Sequence, residues 1–154
     1  CYNTFCLGFV QVHQTIVLGQ PLSNTSVIGG KQFEVAIEIS MEQETGKWWL
    51  ILGDIKVGYW PEQLLPLFAL GAKSVFWGGR AKAGLDGVSP PMASGMPTDG
   101  YTNLQYKDES NQSLKPERVD TVVDCHQPVN GYNVEYDSGY NIVHFGGAPG
   151  GVKC

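Results

Sequence analysis

The chain has 154 residues, about the size of one domain, with 42% hydrophobic residues, 11% aromatic residues and 20 glycines; it can bury a core punctuated by many turns, which excludes a disordered chain. Ten basic against fifteen acidic residues give a net charge of -5, with no basic run to follow a phosphate backbone, so no nucleic-acid partner is expected. Even QLLPLFALGAKSVFW is broken by Pro66, Gly71 and Lys73 and falls short of the roughly 20 apolar residues of a membrane helix, so no membrane partner is expected either.

In chain order, the first residue is Cys1, with no initiator methionine and no signal peptide, which predicts a processed product. The four cysteines, Cys1, Cys6, Cys125 and Cys154, suit an oxidising compartment. Three pairings are open to them; the tight CYNTFC loop favours Cys1 with Cys6, leaving Cys125 for Cys154. GFVQVHQTIVLG alternates polar and apolar positions and predicts a strand. KQFEVAIEIS does so more cleanly, with Phe33, Val35, Ile37 and Ile39 on one face and Gln32, Glu34, Ala36 and Glu38 on the other. Thr45-Gly46 predicts a turn into WWLILG, and IKVGYW follows Asp54, so three strands form a meander. PEQLLPLFALGA is the one short helix expected, with Pro61 in its first turn, Gly71 at its C-terminal cap and an interruption at Pro66. GLDGVSPPMASGMPTDG predicts a long irregular excursion. YTNLQYKD, RVDTVVDC, GYNVEYD and NIVHFGG predict further short strands. The whole reads as a single all-β domain over residues 1–154, an antiparallel sandwich or barrel.

The search for catalytic chemistry returns mostly exclusions. There is no Gly-x-Ser-x-Gly elbow, no His-Glu-x-x-His pair and no phosphate loop. Ser94 has no local partner, and Cys-x-x-Cys is absent, so neither a metal nor a cofactor is expected. His13 and His144 read as hydrogen-bonded strand residues in preference to catalytic bases. Bridged cysteines leave no thiol nucleophile. Carboxylates remain, with Glu34, Glu38 and Glu135 on strand-like segments; Glu34 and Glu38 share a face but lie roughly 13 Å apart along the backbone, which suits solvated charges better than a dyad. Adjacent Trp48 and Trp49 must point to opposite faces, one buried and one on an outer or cleft surface available for stacking. Asn24-Thr25-Ser26 and Asn111-Gln112-Ser113 carry the N-glycosylation pattern. In SVFWGGRAK, two glycines after Trp77 allow close backbone approach directly before Arg80.

The blocks CYNTFCLGFVQV, GKWWLILGD, VGYWPEQL, SVFWGGRA and YNIVHFGGAPGGVKC resemble, in order and over essentially the whole chain, the C-terminal part of the plant neprosin domain. The resemblance implies an antiparallel β-sandwich of the glutamic-peptidase kind, in which two glutamates act on peptide bonds after proline under acid conditions. It also implies secretion to an extracellular or vacuolar space, and it supports the two bridges. The family commonly continues Trp-Gly-Gly with one catalytic glutamate, and here that position is Arg80. Arginine stays protonated at any working pH and cannot serve as a general base. The second family glutamate belongs to a segment preceding the Cys-x-x-x-x-Cys loop, at which this chain starts.

The resemblance therefore points to a noncatalytic homologue that retains a cleft around Trp77, Gly78, Gly79, Arg80, Trp48 and Trp49 for a peptide or glycan, with a role in defence. The alternatives are a proline-directed acid endopeptidase completed by another chain, and a storage or structural protein. A half sandwich would leave strand edges and an apolar face open, so the expected partners are an N-terminal segment of the same precursor or the mate in a homodimer. Arg80 itself reads either as a surface residue in a degenerated site or as an anion-binding group.

Overall fold

A computed structural model describes residues 8–21, 23–27, 29–78, 85, 100–108, 110, 112–121 and 133–146. They fall into two units, Cys1–Lys73 and Ser74–Cys154. All strand pairs in both are antiparallel, so the chain is all-β.

The first unit is one sheet of β1 (Val10–Gln11), β2 (Ile37–Glu42), β3 (Lys47–Leu52) and β4 (Ile55–Trp60), in the order β1-β4-β3-β2. The predicted meander is therefore present as β2-β3-β4. Its first turn spans residues 43–46, with the N–H groups of Thr45 and Gly46 both donating to the Glu42 carbonyl. The turn closes because Gly46 takes a left-handed φ of 65°, which costs a glycine little and an L side chain about 1–2 kcal/mol. The second turn is the two-residue Gly53-Asp54 link between Leu52 and Ile55, which face each other.

Both long strands expected here are shortened, for separable reasons. The β3–β4 hairpin ends at Gly53, whose N–H donates to the Ala36 carbonyl; residues 31–36 run beyond the end of the ladder and pair with no strand among the described residues. Ile37 and Ile39 share a face of β2, and with Phe33 and Val35 they stay exposed, Ile37 at 59% and Ile39 at 56%. Along GFVQVHQTIVLG only Val10 and Gln11 pair with β4. A bulge at Val57, between Gly58 opposite Leu50 and Lys56 opposite Ile51, turns one carbonyl toward two donors, the N–H groups of Val12 and His13, each at 2.9 Å. His13 Nδ1 then accepts from the N–H groups of Thr15 and Ile16, and the chain bends away. His13 is thus hydrogen-bonded as expected, but in a turn.

The expected short helix is replaced by two 3-10 turns, Glu62–Leu64 and Pro66–Phe68. Pro66 clashes with a helical preceding residue, and Leu65 accordingly sits at φ -127°, ψ 50°, outside the α region. Pro61 does take the position before the first turn, and the Gly71 N–H closes the second on the Phe68 carbonyl.

The second unit holds a three-stranded sheet, β5 (Gly100–Thr102), β9 (Ile142–Gly146) and β8 (Asn133–Asp137), and a ribbon of β6 (Tyr106–Lys107) with β7 (Ser113–Leu114). YTNLQYKD becomes two strands because Asn103 takes a left-handed φ of 53° between them. Asn141 is buried and joins the parts: its Nδ2 donates to the Leu104 carbonyl and its Oδ1 accepts the Tyr136 hydroxyl. Within RVDTVVDC, residues 118–121 pair with no strand among the described residues; Arg118 instead donates to Asp120 two residues on. Strand-prone residues without a neighbour gain no ladder bonds. Residues 122–125, most of the 84–100 excursion and all four cysteines lie outside the described residues.

Gly58 is the tightest point of the first sheet, since a Cβ there would lie 2.5 Å from the Phe9 ring and closer still to the Val10 carbonyl. Gly58→Ala is expected to destabilise the protein by about 1–3 kcal/mol through overpacking, read as a lower urea midpoint with an unchanged slope.

Candidate functional site

Residues directly paired across strands share a face, so the register sorts β2, β3 and β4 apart from Val57 at the bulge. On one face lie Ile37, Ile39 and Met41 of β2, Trp48, Leu50 and Leu52 of β3, and Ile55, Gly58 and Trp60 of β4. On the other lie Glu38, Ser40 and Glu42, then Lys47, Trp49 and Ile51, then Lys56 and Tyr59. One face is apolar. The other is an array of charges and aromatic rings.

The apolar face carries a groove of about 280 Å³, lined by Ile39, Trp48, Trp60, Leu65, Phe68 and Ala72. The two 3-10 turns supply Leu65 and Phe68, whose ring meets Trp48 edge-on at 5.9 Å. Phe9 braces Trp60 from beside it at 4.7 Å. Such edge contacts hold the indoles upright, each contributing about 0.5–1.5 kcal/mol beyond its buried area. The Pro66 break in the helix therefore has a structural product: the chain folds back far enough for Phe68 to close one end of the groove.

On the opposite face the rings are already covered. Trp49 packs on Tyr59 at 4.9 Å; Lys56 Nζ sits 4.3 Å above the Trp49 ring and Lys47 Nζ 4.9 Å above that of Tyr59. Lys56 also pairs with Glu42 at 3.6 Å. Glu42 is held below the ordinary glutamate range, chiefly by the Thr45 hydroxyl that donates to it, with the Trp49 indole and Lys56 adding to this and partial desolvation opposing it. The Trp49 N–H is enclosed without a partner in full hydrogen-bond geometry, yet it lies close enough to favour the charged carboxylate. This face is a clasp across β2, β3 and β4.

The structure thus separates Trp48 from Trp49, as alternation requires, but neither is buried: both are half-buried, Trp48 because its groove is open and Trp49 because lysine stems cover it in place of a core. They do not form one wall. Trp77 is half-buried and Gly78 exposed; a Cβ on Gly78 would meet nothing among the described residues. Gly79 and Arg80 lie outside the described residues, as do Asn111 and the cysteines. Asn24 is described and exposed.

Across this arrangement the amino-acid sequence matches the Neprosin family model over residues 1–148. The chain belongs to the neprosin family. That bears out the resemblance drawn from the Trp-Trp, Gly-Tyr-Trp-Pro and Trp-Gly-Gly blocks, and two of those blocks supply Trp48 and Trp60 of the groove. What sequence reasoning missed was the company they keep. Phe68, Leu65 and Ala72 were assigned to a helix, and no pattern marked them as facing Trp48.

The carboxylates of this neprosin-family chain separate in the same way. Glu34 is exposed on the unpaired 31–36 segment, and Glu38 is half-buried on the charged face of β2. Glu135 is exposed and lies directly across from His144, the central-strand residue whose buried Nδ1 has no hydrogen-bond partner among the described residues. No group of three His, Cys, Asp or Glu among the described residues is placed to hold a metal ion, and no helix among them is long and apolar enough to cross a membrane.

A carboxyl held low by its folded surroundings stabilises the fold above its unfolded value and loses that contribution as pH falls through its folded one. Glu42→Gln is therefore expected to unfold at lower urea than the unchanged protein at neutral pH. The gap closes as pH falls through the lowered folded value of Glu42, below the ordinary glutamate range, where its side chain becomes uncharged like that of the variant; parallel pH curves for the two proteins would show that the Thr45–Glu42–Lys56 clasp does not stabilise the fold.

Proposed function

We propose that this neprosin-family chain is a noncatalytic binding protein, secreted to an extracellular or vacuolar space, that holds an extended peptide with an apolar or proline side chain in the Trp48–Trp60–Phe68 groove. The observation that carries the reading is the lining itself: Ile39, Trp48, Trp60, Leu65, Phe68 and Ala72 contain no titratable group. Such a surface can desolvate a side chain but has nothing with which to move a proton.

A peptide suits the groove better than a sugar. Carbohydrate hydroxyls placed against six apolar side chains would lose water without gaining partners, at about 1–3 kcal/mol each. A proline ring presents only carbon to the indoles, and a polyproline-type segment arrives already ordered, which reduces the entropy lost on binding. Arg80, at the place where the family commonly has glutamate, supports the noncatalytic part of the reading, because guanidinium cannot accept a proton.

The test is calorimetric titration with a proline-rich peptide and its alanine-substituted control, followed by an acid-pH digest of the same peptide. Binding of the proline peptide without cleavage is the expected result, and cleavage by the unchanged chain would overturn it. Trp48→Ala removes the central anchor and is expected to weaken binding about 30-fold or more, the range of an aromatic hot spot. Arg80→Glu on the 154-residue chain is expected to leave it inactive in the digest. One restored carboxylate cannot act as acid and base together, and robust cleavage by that variant would overturn the noncatalytic reading.

A further inference from the structure

The Asn24-Thr25-Ser26 triplet has no part in the groove or in the charged clasp, and its surroundings are unusually well defined. Asn24, Thr25 and Ser26 are all exposed, and among the described residues no hydrogen bond occupies the Asn24 amide. Immediately after it the chain closes on itself. Ser26 Oγ accepts the Phe33 N–H at 2.9 Å and donates to the Phe33 carbonyl at 3.1 Å. The Val27 N–H donates to the Lys31 carbonyl and the Gly30 N–H to that of Val27. Gln32 Nε2 donates to the carbonyls of Val27 and Gly30. The 26–33 loop is therefore fixed by its own bonds, and Asn24 projects just outside the closing pair.

We propose that Asn24 carries an N-linked oligosaccharide. The acceptor pattern needs a hydroxyl two residues after the asparagine, and Ser26 supplies it. In the transfer, Asn24 Nδ2 attacks the anomeric carbon of an oligosaccharide carried on a lipid pyrophosphate. The C–N bond forms, the bond from that carbon to the phosphate oxygen breaks, the lipid pyrophosphate leaves with the electron pair, and an amide proton passes to a base. Because the folded loop commits the Ser26 hydroxyl to Phe33, transfer precedes loop closure and happens while the chain is being folded. The placement has a consequence. Phe33, Val35, Ile37 and Ile39 are all exposed, the first of them being the residue to which Ser26 is tied, and a hydrated glycan two residues from that tie shields the near end of an apolar segment prone to association.

The test is secretion of the full chain from a eukaryotic host, with mass measured before and after enzymatic removal of N-glycans and with the modified peptide mapped. The expected result is loss of oligosaccharide mass with conversion of Asn24 to Asp in the mapped peptide, retained in Ser26→Thr and lost at this site in Asn24→Gln. Secreted protein with an unmodified Asn24 peptide, or with glycan on Asn111 alone, overturns the proposal. The map of the unchanged protein decides the matter even if Asn24→Gln fails to be secreted, and a mass readout is independent of whether the groove binds peptide.

Discussion

In a strand, neighbouring side chains point in opposite directions, and for β3 this means that Trp48 and Trp49 cannot contribute to the same surface. The rest of the first unit follows from how each indole is accommodated. Trp48 stands among aliphatic and aromatic side chains, its ring at a steep angle to that of Phe68, and lines the open groove. Trp49 is met over its face by Lys56 and packs on Tyr59. An ammonium over an aromatic face at an exposed site contributes about 0.5–1 kcal/mol, comparable with the gain from a ligand stacking there, so the charged face has little to offer a partner. The one-residue difference in position separates a surface suited to binding from one that fastens three strands together.

Each unit is also held by the same kind of hairpin. Glu42 and Lys47 face each other across residues 43–46, and Asp137 faces Ile142 across residues 138–141. In both, the fourth loop residue is left-handed, Gly46 at φ 65° and Asn141 at φ 56°. In both, the acidic residue before the loop caps it: Glu42 through the Thr45 hydroxyl, Asp137 through the N–H groups of Gly139 and Tyr140. Glycine fills the first, where a Cβ would lie 2.9 Å from the Glu62 side chain. Asparagine fills the second because its amide does further work, reaching Leu104 and Tyr136. Few non-glycine residues tolerate that conformation, and asparagine is foremost among them.

This explains how much was legible beforehand. Turn chemistry and alternation are local, so the β2-β3-β4 meander, the β8–β9 hairpin and the opposition of the two tryptophans could be read from adjacent residues. Strand length is not local. The stretch from Gln32 to Ser40 alternates without a break, yet pairing begins at Ile37, because the partner strand turns at Gly53, a fact that Gln32 to Ala36 do not encode. The Val57 bulge, which truncates β1, likewise leaves no mark in IKVGYW. Half the groove escaped for a related reason. Trp48 and Trp60 lie in recognisable blocks, whereas Leu65 and Phe68 reach it only because Pro66 converts a helical pattern into two tight turns.

The chemistry of the groove follows from the same geometry. A peptidase of the glutamic kind needs two carboxyl groups that approach a single peptide bond, one giving and one taking a proton. On the first sheet every acid whose face is fixed, Glu38 and Glu42, lies on the clasp side, across the sheet from Trp48. Moving either to the groove would need a one-residue slip of β2, and such a slip would carry Ile37, Ile39 and Met41 to the charged side with it. The register that keeps the apolar residues together is thus the register that keeps acids out of the groove. Any carboxylate serving it would have to come from outside the sheet.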